Sequence, residues 1–383
     1  MHATAIRFAL SLLFCGLVLT SSFLPQRSLA EEKKDVPSAV RVILVKAGKM
    51  MNEQRYDQAI ALLTEFSAGI SAGNDAPHPH PEIDFTLGTC YLLRDRFEEA
   101  RRALDRAVEK DPRHRSAWLN LAKVTYELHD YKRAAECFVN AYDLDPDKNP
   151  EHLYFGAVAH LLAQDNAGAV AVFERLLVAH ADQVHLEWRE NLVHALIGAG
   201  ESLRALPHIK RLAEESRGDK QVQWQEILLY HYLQLDRDDE ALAAAESFCR
   251  TLPTETKWWR ALAHIHLRHN RYQPALTALL VAGYLEPLSK EESRLVADLY
   301  LQLGVPVKAA ELYQDILADT KNPQPLTNLV VALQQTGQID QALAVLDTFA
   351  TDTLGPELAM LKVGLQNDQS LGRNGRSERS TTF

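Results

Sequence analysis

Fifteen histidines and four cysteines are the residues of this chain whose chemistry would be metal binding, nucleophilic attack or proton transfer. A zinc site needs about four nitrogen or sulfur donors converging on one point. His78 and His80 alternate with prolines in Pro77–Pro81, and His264, His266 and His269 cluster further on. On a helix, His264 and His266 stand two places apart and point to different faces. No cysteine or acid stands at ligand spacing to complete either set. The loop pair could hold a metal weakly; the plainer reading is a set of solvated loop and surface histidines. Cys15 falls in an N-terminal apolar run, which leaves Cys90, Cys137 and Cys249, an odd number that implies at least one free thiol in an oxidising compartment. There is no Gly-rich phosphate loop, no His-Glu-x-x-His helix and no Gly-x-Ser-x-Gly elbow. Acid pairs such as Glu98-Glu99 and Asp238-Asp239 fall beside turns and read as solvated charge. These residues point to no catalytic centre, cofactor or metal, and the expectation is a protein that is not an enzyme.

Other residues are placed to hold a partner. Lys257, Arg260, His264 and Arg268 recur at three- and four-residue steps, with Arg294 beside them, and form a basic stripe in a chain of formal charge −10. Such a stripe could grip an acidic segment or a C-terminal carboxylate through charge-assisted hydrogen bonds. Asn120, Lys123, Tyr126, Tyr154, Asn191, His194, Glu226 and Tyr230 could hold an extended peptide by side-chain contacts and backbone hydrogen bonds. The bland alternative is that all of these are solvated helix faces. The acidic balance argues against general nucleic-acid binding, which needs a basic footprint.

The elements that must carry these side chains are written twice over in Asp84–Pro146. Leu87, Gly88, Tyr91, Phe97, Ala100, Leu104, Ala107 and Pro112 are followed, thirty-four places on in each case, by Leu121, Ala122, Thr125, Tyr131, Ala134, Phe138, Ala141 and Pro146. Within one copy the apolar steps of three and four are those of a helix. The polar break Leu93–Arg96 divides the copy into two antiparallel helices, and Pro112 and Pro146 end the second helix. Ala100 and Ala134 mark the close crossing of the two helices. Counterparts stand at Ala59, Ala169, Ala205, Ala241, Ala275, Ala309 and Ala342. That period predicts one all-α solenoid of about nine helix-turn-helix repeats over residues 38–367, stacked because one pair cannot cover its own apolar face. The first repeat is irregular, residues 69–81 read as a loop, and repeats four and five are the least regular. Cys90 and Cys137 would then lie on helices that do not face each other, as small buried hydrophobes.

The period and pattern resemble the tetratricopeptide repeat. The resemblance implies a right-handed superhelix whose first helices line a concave groove where protein or peptide partners lie. Asn120 and Asn191 resemble the asparagine that peptide-binding members use on a ligand backbone. The two-carboxylate clamp of chaperone-binding members is not filled here. Trp188, Trp224, Trp258 and Trp259 fall near the starts of first helices and are expected to be inter-repeat core. A narrower likeness covers Gln223–Leu317, with Trp224–Leu228, Lys257–Leu262, Ala282-Gly283-Tyr284, Leu288–Glu292 and Gly304–Ala310. It is similar to periplasmic repeat proteins that accompany the TonB–ExbB–ExbD complex, although Val307 replaces a tyrosine and Pro287-Leu288-Ser289 replaces a glycine-leucine-threonine run. The likeness implies TonB, ExbB or ExbD as partners.

Residues 1–30 read as a secretory signal: Arg7, an apolar run from Phe8 to Leu19, then Ser28-Leu29-Ala30 before Glu31-Glu32. Cleavage and retention as an anchor both stay open. Leu358–Leu365 reads as a capping helix, and 368–383, nearly devoid of apolar residues, as a disordered tail. The expectation is a periplasmic protein-binding scaffold, accessory to a TonB-type system or an assembly factor for other envelope machinery such as secretion, cell wall or outer membrane.

Overall fold

The structure, a computed structural model, describes residues 36–71, 80–318, 324–348 and 355–380. The signal segment 1–30 and most of the 69–81 loop lie outside the described residues. Among them every regular element is a helix, and they group into two compact units that divide after Glu201.

The first unit holds four antiparallel pairs and a ninth helix. These are α1 (Ser38–Asn52) with α2 (Tyr56–Ser71), α3 (Pro81–Leu92) with α4 (Phe97–Lys110), α5 (Arg115–Glu127) with α6 (Tyr131–Asp143), α7 (Pro150–Leu162) with α8 (Asn166–Ala179), and then α9 (Leu186–Gly198). The second unit opens on α10 (Ser202–Glu215). It continues with α11 (Gly218–Gln234) and α12 (Asp238–Thr251), α13 (Thr256–Arg268) and α14 (Tyr272–Leu285), α15 (Lys290–Gln302) and α16 (Pro306–Ala318), and α17 (Gln324–Gln335) and α18 (Ile339–Thr348). The last helix, α19, spans Pro356–Ser380. It lays Leu358, Leu361 and Leu365 on the core around Leu343 and Leu346. It also runs past residue 367, where the sequence reading ends the folded chain. Only its first half carries an apolar stripe, so a reading by hydrophobic period stops early.

All nine crossing alanines are fully buried. At the α3–α4 crossing even a methyl is too large: a Cβ on Gly88 would lie 2.6 Å from Leu104 Cγ. Each pair is joined by the same turn, which the sequence showed only as a polar break. Its left-handed residue is Gln54, Asp95, His129, Gln164, Gly200, Asp236, Asn270, Gly304 or Gly337. The next amide reaches back five residues, as in Arg96 N to Tyr91 O (3.0 Å), Asp165 N to His160 O (2.9 Å) and Val305 N to Tyr300 O (2.8 Å). This closes the carbonyl left open at a helix C-terminus. Trp118 and Trp259 fasten the loops between repeats, their indole N–H groups donating to Pro112 O and Pro253 O at 2.8 and 2.9 Å.

Candidate functional site

Helix period sets Asn120, Lys123 and Tyr126 one turn apart on α5, with Tyr154 on α7 and Asn191 on α9. Asn120 is buried, and its amide donates to Thr89 Oγ1 on α3 at 3.0 Å. It therefore ties two first helices together. Thirty-four residues after Thr89 and Asn120 stand Lys123 and Tyr154, where the tie is not repeated. Tyr154 turns onward, donating to Glu187 Oε1 at 2.6 Å and accepting from Asn191 Nδ2 at 3.4 Å, with its ring stacked on Trp188. Burial and the Glu187 carboxylate push its hydroxyl pKa up. Lys123 is left half-buried, and no carboxylate among the described residues lies within ion-pair reach of it. Burial alone pushes its ammonium pKa down. Tyr126 packs on Ala134, Ala135 and Ala159, and edge-on to Tyr131 at 5.3 Å.

In the second unit the basic stripe is real in position but not open in charge. Lys257 meets Glu226 of α11 at 2.7 Å and lies over the Trp258 ring. Arg260 spans Glu292 of α15 at 2.6 Å and Glu286 at 2.8 Å. Burial works against its charge, but these two carboxylates outweigh it and raise the pKa. Arg268 faces Asp238 at 3.2 Å and Asp236 at 3.7 Å, while Arg294 approaches Asp298 of its own helix at 3.9 Å. His264 is exposed, and so is Tyr230, edge-on to His231. The sequence shows Glu226 and Asp238 but not their pairing with the stripe, because the partners sit about one repeat apart, as Glu226 does from Lys257 and Glu292 from Arg260. Pairing residues at that offset would have found them.

The other chemical groups are structural. His80 Nδ1 accepts from Glu82 N at 3.2 Å and His114 Nδ1 from Ala117 N at 3.1 Å, so both cap helices. Among the described residues no group of three or more His, Cys, Asp or Glu is placed to hold a metal; His78 lies outside them. Cys90, Cys137 and Cys249 are buried free thiols. Burial pushes Cys90 and Cys137 up to about 12 and Cys249 up to about 11, so little reactive thiolate forms near neutral pH. Trp188, Trp224 and Trp258 are buried core.

Two buried carboxylates were not anticipated. Asp84 is 2% exposed, and Arg106 and Lys110 of α4 hold it at 2.8 and 2.5 Å. Asp145, between α6 and α7, takes Arg115, the amide of Asn149 at 3.1 Å and His152 at 3.5 Å. Burial works to raise the Asp145 pKa, but those partners lower it overall.

Two family models, each described as tetratricopeptide repeat, match residues 50–124 and 119–184. Residues 50–184 carry tetratricopeptide repeats. Curated relatives include superkiller protein 3 of Schizosaccharomyces pombe, 24% identical over 224 residues, and the tetratricopeptide repeat-containing protein trd-1 of Caenorhabditis elegans, 20% identical over 221. The matches take in 58% and 57% of this chain but only 14% and 28% of those proteins. Among solved structures, a tetratricopeptide repeat protein from Parabacteroides merdae covers 78% of this chain and is covered whole, at 12% identity and a TM-score of 0.34.

Proposed function

We propose that this chain is an exported protein-binding scaffold of the bacterial envelope, and that a partner's carboxylate, from an acidic side chain or a chain terminus, is received at Lys123. One observation carries the choice of site. Asn120, Tyr154, Asn191, Lys257, Arg260 and Arg268 are each tied to a neighbouring repeat, whereas Lys123 is a half-buried ammonium with no carboxylate among the described residues within ion-pair reach. An unpaired buried charge is destabilising, and a ligand carboxylate would supply what is missing. Lys123→Met therefore separates binding from folding. It should raise stability by about 0.5–2 kcal/mol and weaken the partner by about 2 kcal/mol or more. A variant that binds as well as the parent removes Lys123 from the site.

Export is supported by Arg7, the Phe8–Leu19 run and Ser28-Leu29-Ala30, and no described helix is long and apolar enough to cross a membrane. The finer reading, an accessory to a TonB-type system, rests on the phrases in Gln223–Leu317. Several of these have a packing reason, since Gly283 leaves room for Leu288 and Ser289 with Glu292 forms the capping box of α15. Crosslinking in the native envelope with mass spectrometry tests it. Recovery of TonB, ExbB or ExbD supports the reading, and recovery of secretion, cell-wall or outer-membrane assembly proteins instead overturns it.

A further inference from the structure

The first described helix departs from what an end repeat requires. End repeats of a stacked array keep a polar outer face for solubility. α1 buries Val40 and Ala47 and packs Ile43, Leu44, Met50 and Met51 on the first core. Its opposite face nevertheless exposes Val42 (54%) and Val45 (68%). Arg41, Lys46 and Lys49 flank them, all exposed, and α1 contains no acidic residue. Positions 42, 45, 46 and 49 follow each other at helical steps, so aliphatic and cationic groups share one stripe.

We propose that this stripe rests on an anionic lipid surface. A convex helix face with two valines between long cationic side chains offers no groove or pocket for a peptide. It suits a plane, with the valines entering the headgroup boundary and the Lys and Arg stems reaching up to phosphates. The charge argument is local: the chain as a whole is acidic and would be repelled by anionic lipid, so a helix free of acid at the edge of the described array is where contact can be made. Lys46 and Lys49 are also uncommitted, with no carboxylate partner among the described residues. They differ in this from Lys257, Arg260 and Arg268.

The test uses the full chain and co-sedimentation with vesicles of phosphatidylcholine alone and of phosphatidylcholine mixed with phosphatidylglycerol. The ratio of the two affinities isolates the electrostatic part from any contribution of the apolar Phe8–Leu19 run. The parent should favour the mixed vesicles. In K46E/K49E the preference should fall about 25-fold or more, at about five-fold per cation removed from an anionic surface. A Val45→Trp reporter should shift its fluorescence to the blue on mixed vesicles. Unchanged helicity by circular dichroism shows that the variants fold. The proposal is overturned if K46E/K49E keeps the parent's preference, if the indole of the Val45→Trp reporter stays in water, or if these changes leave lipid binding intact and abolish a protein contact or self-association instead.

Discussion

Asp84 shows how far a single residue can depart from the reading its position invites. It occupies the place of Trp118 in the next repeat, an aromatic packing position, yet it is a carboxylate with 2% exposure. Its charge is tolerable because Arg106 and Lys110 reach it from one turn apart on α4. Arg106→Met with Lys110→Met should therefore strand a buried charge and cost about 3–5 kcal/mol in urea denaturation. Adding Asp84→Asn to that pair should restore part of the loss. Histidines give a second residue-scale test. Burial lowers the pKa of His152, His231 and His266, so the unfolded chain binds more protons than the folded one near their ordinary value of about 6.5. Their contribution is present above that value and is lost as pH falls through the folded pKa values. The melting temperature should drop between about pH 7.5 and 5, and His231→Gln with His266→Gln should flatten that drop. The residue types and helical spacing of the basic stripe were legible, but the burial of Asn120 and the packing of Tyr126 were not. Which charges of the stripe were already taken was not legible either, because Glu226, Glu286, Glu292 and Asp238 lie on other elements.

At the scale of the element, the crossing alanines and the helix period could be read directly, since both follow from close approach of two helices. Ala134→Leu should overpack the place where Ala134 and Ala135 of α6 meet Tyr126 of α5 and Ala159 of α7, and lower stability by about 1–3 kcal/mol. An unchanged melting temperature would move the crossing elsewhere. The left-handed turn was invisible because only three of its nine residues are glycine. A non-glycine residue there carries a steric cost of about 1–2 kcal/mol, partly offset because glycine loses more freedom on folding. Gln164→Gly, at a φ of 59°, should thus stabilise by about 0.5–1 kcal/mol. Gly304→Ala, at 73°, should destabilise by about 1 kcal/mol. Thermal melts of the two variants should move in opposite directions.

At the scale of the whole molecule, counting alanines was enough to foresee the nine turn-linked helix pairs among the described residues, because in a repeat architecture each copy meets only its neighbours and the pattern must recur for the core to continue. The same locality divides stability. α1 and α19 are the first and last of the described helices and should exchange their amide hydrogens faster than inner helices such as α5 or α13. Equal protection along each unit would contradict that.

The turn between paired helices has one further consequence. Its closing hydrogen bond runs from backbone to backbone in all nine instances among the described residues, so the bend asks of its side chain only that it tolerate the left-handed conformation. Glutamine, aspartate, histidine, asparagine and glycine all occupy it. A segment whose corners are built this way is a portable cassette. It can be copied, deleted or exchanged with another repeat without rewriting the corner, and the inherited differences accumulate on the helix faces.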